Sequence, residues 1–182
     1  MAPSTYLSLL LTISMIFISQ AISPTPSHTP IPTLYENVCK SAQDERCLKL
    51  LESNPQITSA KDYVTLSRLY LEMAIDKATK GQDYLKSLIN KYPSSQVLKT
   101  CATNNYHYLI SGFRLAIPQL AKDPDGANWD ATSVYHGPYI CEQNLAHEKI
   151  VKDTSISTLN NDMQFLCYIA GIAIDFIGHQ HI

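Results

Sequence analysis

Residues 59 to 90 read SAKDYVTLSRLYLEMAIDKATKGQDYLKSLIN. Tyr63, Leu66, Tyr70, Met73, Ala74 and Ala78 recur at spacings of three and four, which places them on one stripe of a helix. Most residues between them are polar or charged, so the stripe is the face that seeks a core. Working outward, Asn54-Pro55 interrupts the chain before this helix and Tyr92-Pro93-Ser94-Ser95 interrupts it afterwards. A second helix is expected over Ser94 to Lys122. Its inward positions read as Val97, Cys101, Tyr108, Phe113, Ile117 and Leu120, with Ser94 or Ser95 as cap and Pro118 kinking the last turn. Asp123-Pro124-Asp125-Gly126 reads as a tight turn. A third helix, Asn128 to Val151, carries Trp129, Ile140, Cys141 and Leu145 and is interrupted at Gly137-Pro138. A fourth, Thr154 to Phe176, carries Leu159, Met163, Leu166, Ile169, Ala170, Ala173 and Phe176. Four helices with short connections predict an all-α, up-down-up-down four-helix bundle. Leu34 to Ser53 adds a segment of two short helices holding Cys39 and Cys47.

Composition sets outer limits. A chain of 182 residues allows one domain with short appendages. Fourteen Lys and Arg against 16 Asp and Glu give a net charge of −2. The absence of any long run of like charge excludes a basic nucleic-acid arm and a polybasic membrane patch. Hydrophobic residues make up 45%, enough for a core. Six glycines are few for a fold that cradles phosphates in glycine-rich loops.

Residues 1–21 hold no charged side chain, and Leu7 to Ile18 is apolar except for Ser8, Thr12 and Ser14. That run suits a signal peptide and is short for a membrane span of roughly 20 residues. Ser19-Gln20-Ala21 is a small-x-small cleavage site. Residues 22–33 alternate Pro with Ser and Thr, the composition of an extended tail. The folded domain is expected over 34–178.

Five cysteines behind a signal peptide point to an oxidising compartment and disulfides. They allow many two-bond arrangements, and sequence order alone does not choose among them. Cys39 and Cys47 would lie roughly 12 Å apart on a straight helix, so a bond between them requires the chain to bend. Cys101 and Cys141 fall at similar distances on either side of Asp123–Gly126, and a bond there would tie the second helix to the third. Cys167 sits on the apolar stripe of the last helix and reads as a buried free thiol.

With these features the chain resembles the plant pectin methylesterase inhibitor and invertase inhibitor family. The resemblance rests on a first cysteine pair in an N-terminal hairpin (Cys39, Cys47), a more widely spaced second pair (Cys101, Cys141) and a lone fifth cysteine (Cys167). Glu142 after Cys141 and the segment Asp123 to Leu145 add to it, and it extends over Leu34 to Ile177. It implies a disulfide-tied four-helix bundle with an N-terminal helical hairpin, first-with-second and third-with-fourth disulfides, and a non-catalytic protein secreted to the cell wall, with the vacuole as an alternative. It also implies a protein partner: pectin methylesterase or acid invertase. Two departures stand out. His136-Gly137-Pro138-Tyr139-Ile140 precedes Cys141 where the family is usually Ala-rich, and Pro124-Asp125-Gly126 stands where members that block invertase can carry Pro-Lys-Phe. The second departure favours pectin methylesterase as the target.

No catalytic constellation, cofactor motif or metal site is expected. His147-Glu148 opens like a metalloprotease helix, but Val151 stands where the second His is needed. His28, His179 and His181 fall in the terminal segments, and His107 and His136 read as surface residues. Tyr63, Tyr70, Tyr106, Tyr108, Tyr135, Tyr139 and Tyr168 divide between core edge and binding surface, and Trp129 is either an interface anchor or a plug of the bundle end. Asp123, Asp125, Asn128, Trp129, Tyr139 and Ile140 are the expected target-binding residues. Other readings are a small-ligand carrier using the bundle interior and a structural protein of the wall. Neither nucleic acid nor membrane is an expected partner.

Overall fold

The computed structural model describes residues 32–178. The expected signal peptide, the tail up to residue 31, and His179 and His181 lie outside the described residues. The described residues form helices and turns, with no strand among them.

The first rod of the bundle is α4, Tyr63–Leu88. Asp62 caps it, accepting from the Thr65 N–H at 2.7 Å and the Thr65 hydroxyl at 2.9 Å. Leu66, Tyr70, Leu71, Ala74 and Ala78 are fully buried along one face. The fourth rod is α9, Thr154–Gly178, and the two pack lengthwise. Polar atoms in this contact are paired across it. The Ser67 hydroxyl donates to the Ala173 carbonyl, and the Tyr70 hydroxyl donates to the Leu166 carbonyl, each at 2.9 Å. A buried hydroxyl without such a partner would cost about 1–3 kcal/mol.

The second rod is irregular. Ser95 caps α5 (Gln96–Thr100), accepting from the Leu98 N–H at 3.0 Å. A π turn, Cys101–Asn105, follows, and then α6, Tyr106–Ala116. At Pro118 the rod tightens into a 3-10 turn, Ile117–Gln119, because Pro cannot donate to the preceding turn.

The third rod consists of α7, Pro124–Ser133, and α8, His136–Glu148. Two expectations are corrected here. Asp123-Pro124-Asp125-Gly126 is not a free turn but the start of α7. Asp123 accepts from the Gly126 N–H at 3.0 Å as N-cap, and Pro124 takes the first helical position. Asp-Pro serves helix starts as well as turns, since Pro there loses only an N–H that has no helical partner. The interruption in this rod falls at Val134 and Tyr135, not at Gly137-Pro138. Those two linking residues keep right-handed angles (φ −72°, ψ −5° and φ −56°, ψ −26°), so the rod bends without being cut. Gly137 and Pro138 lie in the first turn of α8, where Pro is tolerated. Lys149, at φ 58°, ends the helix before Val151.

α4 packs on α6 and α9, α6 on α7, and both α7 and α8 on α9, which closes the four rods around one core. The hairpin of α1 (Leu34–Ala42) and α2 (Arg46–Glu52) bends at Gln43, whose φ of 51° lets its N–H reach the Cys39 carbonyl at 3.2 Å. Cys39 and Cys47 are bonded across the bend, with Cα atoms 5.3 Å apart. The hairpin is attached to the bundle. The Asn37 amide donates to the Tyr63 hydroxyl at 3.1 Å, and the Tyr168 hydroxyl donates to the Ala42 carbonyl at 3.1 Å. A single helical turn, α3 (Pro55–Thr58), capped by Asn54, leads into α4.

Candidate functional site

The π turn decides which side chains the second rod shows to solvent. A regular helix with Cys101 inward turns position 108 inward, seven residues on. The π turn adds one residue to the winding, and the inward position becomes Leu109. The core residues are therefore Tyr106, Leu109, Phe113 and Ala116, not Tyr108 and Ile117. Tyr108 and Leu115 are turned out, 51% and 58% exposed.

The third rod fixes this turn. Cys101 is bonded to Cys141 of α8, with Cα atoms 5.5 Å apart. The Asn105 amide donates to the Gly137 carbonyl at 3.3 Å and lies 3.2 Å from the Cys141 sulfur. A Cβ at Gly137 would stand 2.6 Å from the Asn105 carbonyl oxygen, so only glycine lets the two backbones approach this closely. Behind them, Tyr106 donates to Asn160 Oδ1 at 2.8 Å. Asn160 in turn donates to Glu142 at 3.0 Å, and the Ser157 hydroxyl donates to Glu142 at 2.6 Å. Burial, reinforced by the nearby Glu142 and Asp162 charges, pushes the Tyr106 hydroxyl well above its ordinary pKa and keeps it a donor.

The result is a set of exposed apolar and aromatic side chains on α6, α7 and α8, with Tyr135 beside Asn128 and Thr132 on the side of α7 nearest α9. Trp129 is 71% exposed, which excludes the bundle-plug reading. Gln119 joins the two helices beside it, donating to the Leu115 carbonyl at 2.9 Å and to Asp130. Tyr139 and Ile140 are each 44% exposed, and the Tyr135 ring lies tilted against those of His136 and Tyr139, with centroids 4.1 and 6.2 Å away. His136 Nδ1 donates to the Ser133 carbonyl at 2.9 Å. Free-standing aromatic surface of this kind costs solvation and suits a protein contact.

Of the expected binding residues, Asp123 and Asp125 are exposed at the start of α7, and Trp129, Tyr139 and Ile140 stand outward. Asn128 points the other way. Its amide donates to the Gly171 carbonyl at 3.1 Å and to Asp175 at 2.5 Å, fastening α7 to α9. The tyrosines divide cleanly: Tyr63, Tyr70 and Tyr106 are buried with bonded hydroxyls, whereas Tyr108, Tyr135, Tyr139 and Tyr168 are exposed. Leu115 was missed by the sequence reading, because an apolar residue one place off a stripe carries no signal of its own.

A scan against models of known families matches residues 33–171 to the plant invertase/pectin methylesterase inhibitor family. The chain belongs to that family. Among curated proteins, it is 29% identical to Pectinesterase inhibitor 2 of Arabidopsis thaliana over 136 residues, covering 72% of this chain and 77% of that protein. Among solved structures, a pectin methylesterase inhibitor from Arabidopsis thaliana superposes with a TM-score of 0.56 at 21% identity, covering 78% of this chain and 93% of that one. A mutant form of an Arabidopsis pectin methylesterase inhibitor superposes with a TM-score of 0.60, also at 21% identity, over 79% and 90% of the two chains. These likenesses establish the fold, and the family is one of inhibitors, so the chain is a non-catalytic protein.

Residues that looked chemical in the sequence have structural roles. Glu148 of the His147-Glu148 pair accepts from the Ser95 hydroxyl, closing the cap of α5. Cys167 is a buried free thiol, and burial pushes its pKa up so that it stays protonated. Among the described residues no cluster of His, Cys, Asp and Glu could hold a metal ion, and no helix is long and apolar enough to cross a membrane.

Proposed function

We propose that this chain is a secreted inhibitor of pectin methylesterase that binds the enzyme stoichiometrically and covers its substrate cleft. The observation that carries this reading is the relationship to Pectinesterase inhibitor 2 over most of both chains. The outward face of α6, α7 and α8 is the proposed contact, with Trp129, Leu115 and Tyr139 as anchors and Asp123 and Asp125 at its rim. A disulfide-tied bundle suits the task, because little conformational freedom remains to be lost on binding. Pro124-Asp125-Gly126, in place of the Pro-Lys-Phe of invertase-blocking members, favours pectin methylesterase over acid invertase. Residues 1–21 act as the signal peptide and 22–33 as a tail ahead of the inhibitory domain, 34–178. The mature protein is thereby delivered to the cell wall.

The test is a side-by-side titration of a plant pectin methylesterase and an acid invertase with the oxidised mature chain at mildly acidic pH. Esterase activity is expected to fall to its floor near one equivalent, with invertase unaffected. Loss of invertase activity alone reverses the assignment of target, and full activity of both enzymes removes the inhibitory reading.

A further inference from the structure

On the far side of the hairpin a second surface carries a different chemistry. A groove of about 770 Å³ runs between α2, α4 and α9. Two stripes of the same helical spacing form its walls: Arg46 and Lys49 on α2 with Ser53 just past its end, and Lys77, Lys80 and Tyr84 on α4. Residues three and four apart share a helix face, so each stripe turns its cations to the same space. All four cations are exposed. The only carboxylate in the lining is Asp162, although the chain as a whole carries a net charge of −2. Arg46 is paired with Asp44 at 2.7 Å and Lys80 with Asp76 at 2.6 Å, while Lys49 and Lys77 make no ion pair among the described residues. Arg46 also lies over the Phe165 ring, 4.0 Å from its centroid, so an aromatic face and a guanidinium are held together at one edge. Ser155 and Thr158 of α9 add hydroxyls, and Leu159 and Met163 provide an apolar floor.

We propose that this groove binds an acidic oligosaccharide, a run of uronic acid residues. Lys49 and Lys77, which make no ion pair among the described residues, face the groove from its two walls and call for a ligand with more than one negative charge. The hydroxyls suit sugar hydroxyls, and the apolar floor suits the C–H faces of pyranose rings. Cations three residues apart on one helix are separated by about 4.5 Å along its axis, comparable with one sugar unit. The choice of a uronide among polyanions rests on the proposed function, because a pectin methylesterase turns neutral methyl esters into uronate carboxylates. The groove would hold the inhibitor on stretches where the enzyme has already worked. It is separate from the α6–α8 face, so both contacts can be made at once.

The test uses the mature, disulfide-bonded protein and a short, size-defined, fully de-esterified oligogalacturonate, titrated by NMR at low salt without enzyme. Saturable binding is expected, with amide shifts centred on Ser53, Tyr84 and Thr158 and weakening as salt is added. Lys49→Gln/Lys77→Gln should weaken it about tenfold while leaving esterase inhibition unchanged. The fully methyl-esterified oligomer should not bind. The proposal is overturned by absent saturation, by shifts elsewhere, by equal affinity of the double variant or of the esterified oligomer, or by displacement with an equal concentration of inorganic sulfate. Loss of esterase inhibition in the double variant also overturns it, since the groove would then belong to the enzyme contact. A protein that binds the oligomer but inhibits no esterase keeps the groove assignment and loses only the inhibitory reading.

Discussion

The two halves of the bundle are built on different plans. α4 and α9 are single unbroken helices of 26 and 25 residues, joined through buried hydroxyl–carbonyl bonds. The second and third rods are interrupted, one by a π turn and a 3-10 turn, the other by the bend at Val134 and Tyr135. Nine large apolar or aromatic side chains stand exposed among the described residues, and six of them lie on the interrupted rods. Only Tyr168 lies on the unbroken pair. An unbroken helix keeps its apolar stripe on one side for its whole length. An interrupted one changes phase and turns side chains of the same kind outward. In this molecule the regular pair carries the fold and the irregular pair carries the display.

The largest expected effect compares the two disulfides. By loop entropy, removing Cys101–Cys141, which spans 40 residues, should cost about 4 kcal/mol, and removing Cys39–Cys47, which spans 8, about 2.5 kcal/mol. Denaturant unfolding of the two double Cys→Ala variants measures the difference. Equal losses would mean that the third rod is not held by its bond to the second. Gly137→Ala comes next, at about 2 kcal/mol, because the new methyl meets the Asn105 carbonyl. Its amide spectrum should change around Cys101–Asn105 and leave α4 unperturbed.

On the regular side, Asp62→Ala should cost about 1 kcal/mol at neutral pH. The Thr65 N–H, and then its hydroxyl, hold the Asp62 carboxyl below the usual aspartate range. The sign follows: a depressed folded pKa gives stability that is present at neutral pH and lost as pH falls through the folded value. The gap between wild type and variant should therefore close in unfolding curves taken below the ordinary aspartate range. The smallest effect is at Lys149, a non-glycine residue at φ 58°. Lys149→Gly should raise stability by up to about 1 kcal/mol, read as a small increase in Tm, because glycine carries no Cβ penalty there.

How much of this was legible in the sequence follows the same division. The stripe through Leu66, Tyr70 and Ala74 read correctly because nothing in α4 disturbs its period. In the second rod Cys101, Phe113 and Leu120 read correctly, whereas Val97 was read inward in place of Leu98 and Tyr108 in place of Leu109, the latter because Asn104-Asn105 carries no mark of a π turn. That turn is set by Cys141 and Gly137, more than thirty residues away in sequence. Asp123-Pro124 has the same chemistry in a turn as in a helix start, and only the following turn of α7 decides between them. Trp129 and Asn128 are neighbours in sequence, yet one faces solvent and the other α9, which one residue of helix rotation explains and no composition reveals. The groove of Arg46, Lys49, Lys77 and Lys80 was invisible for a related reason: its cations come from separate helices, and no run of like charge announces it.

The central claim is that the interrupted rods present the surface that stops the enzyme. The most direct measurement is the affinity of Trp129→Ala for pectin methylesterase, taken beside its unfolding free energy. Stability should stay within about 0.5 kcal/mol of wild type, since the indole is 71% exposed, and affinity should fall by about 2 kcal/mol, roughly thirtyfold. Unchanged affinity at unchanged stability would contradict the account and move the contact off this face.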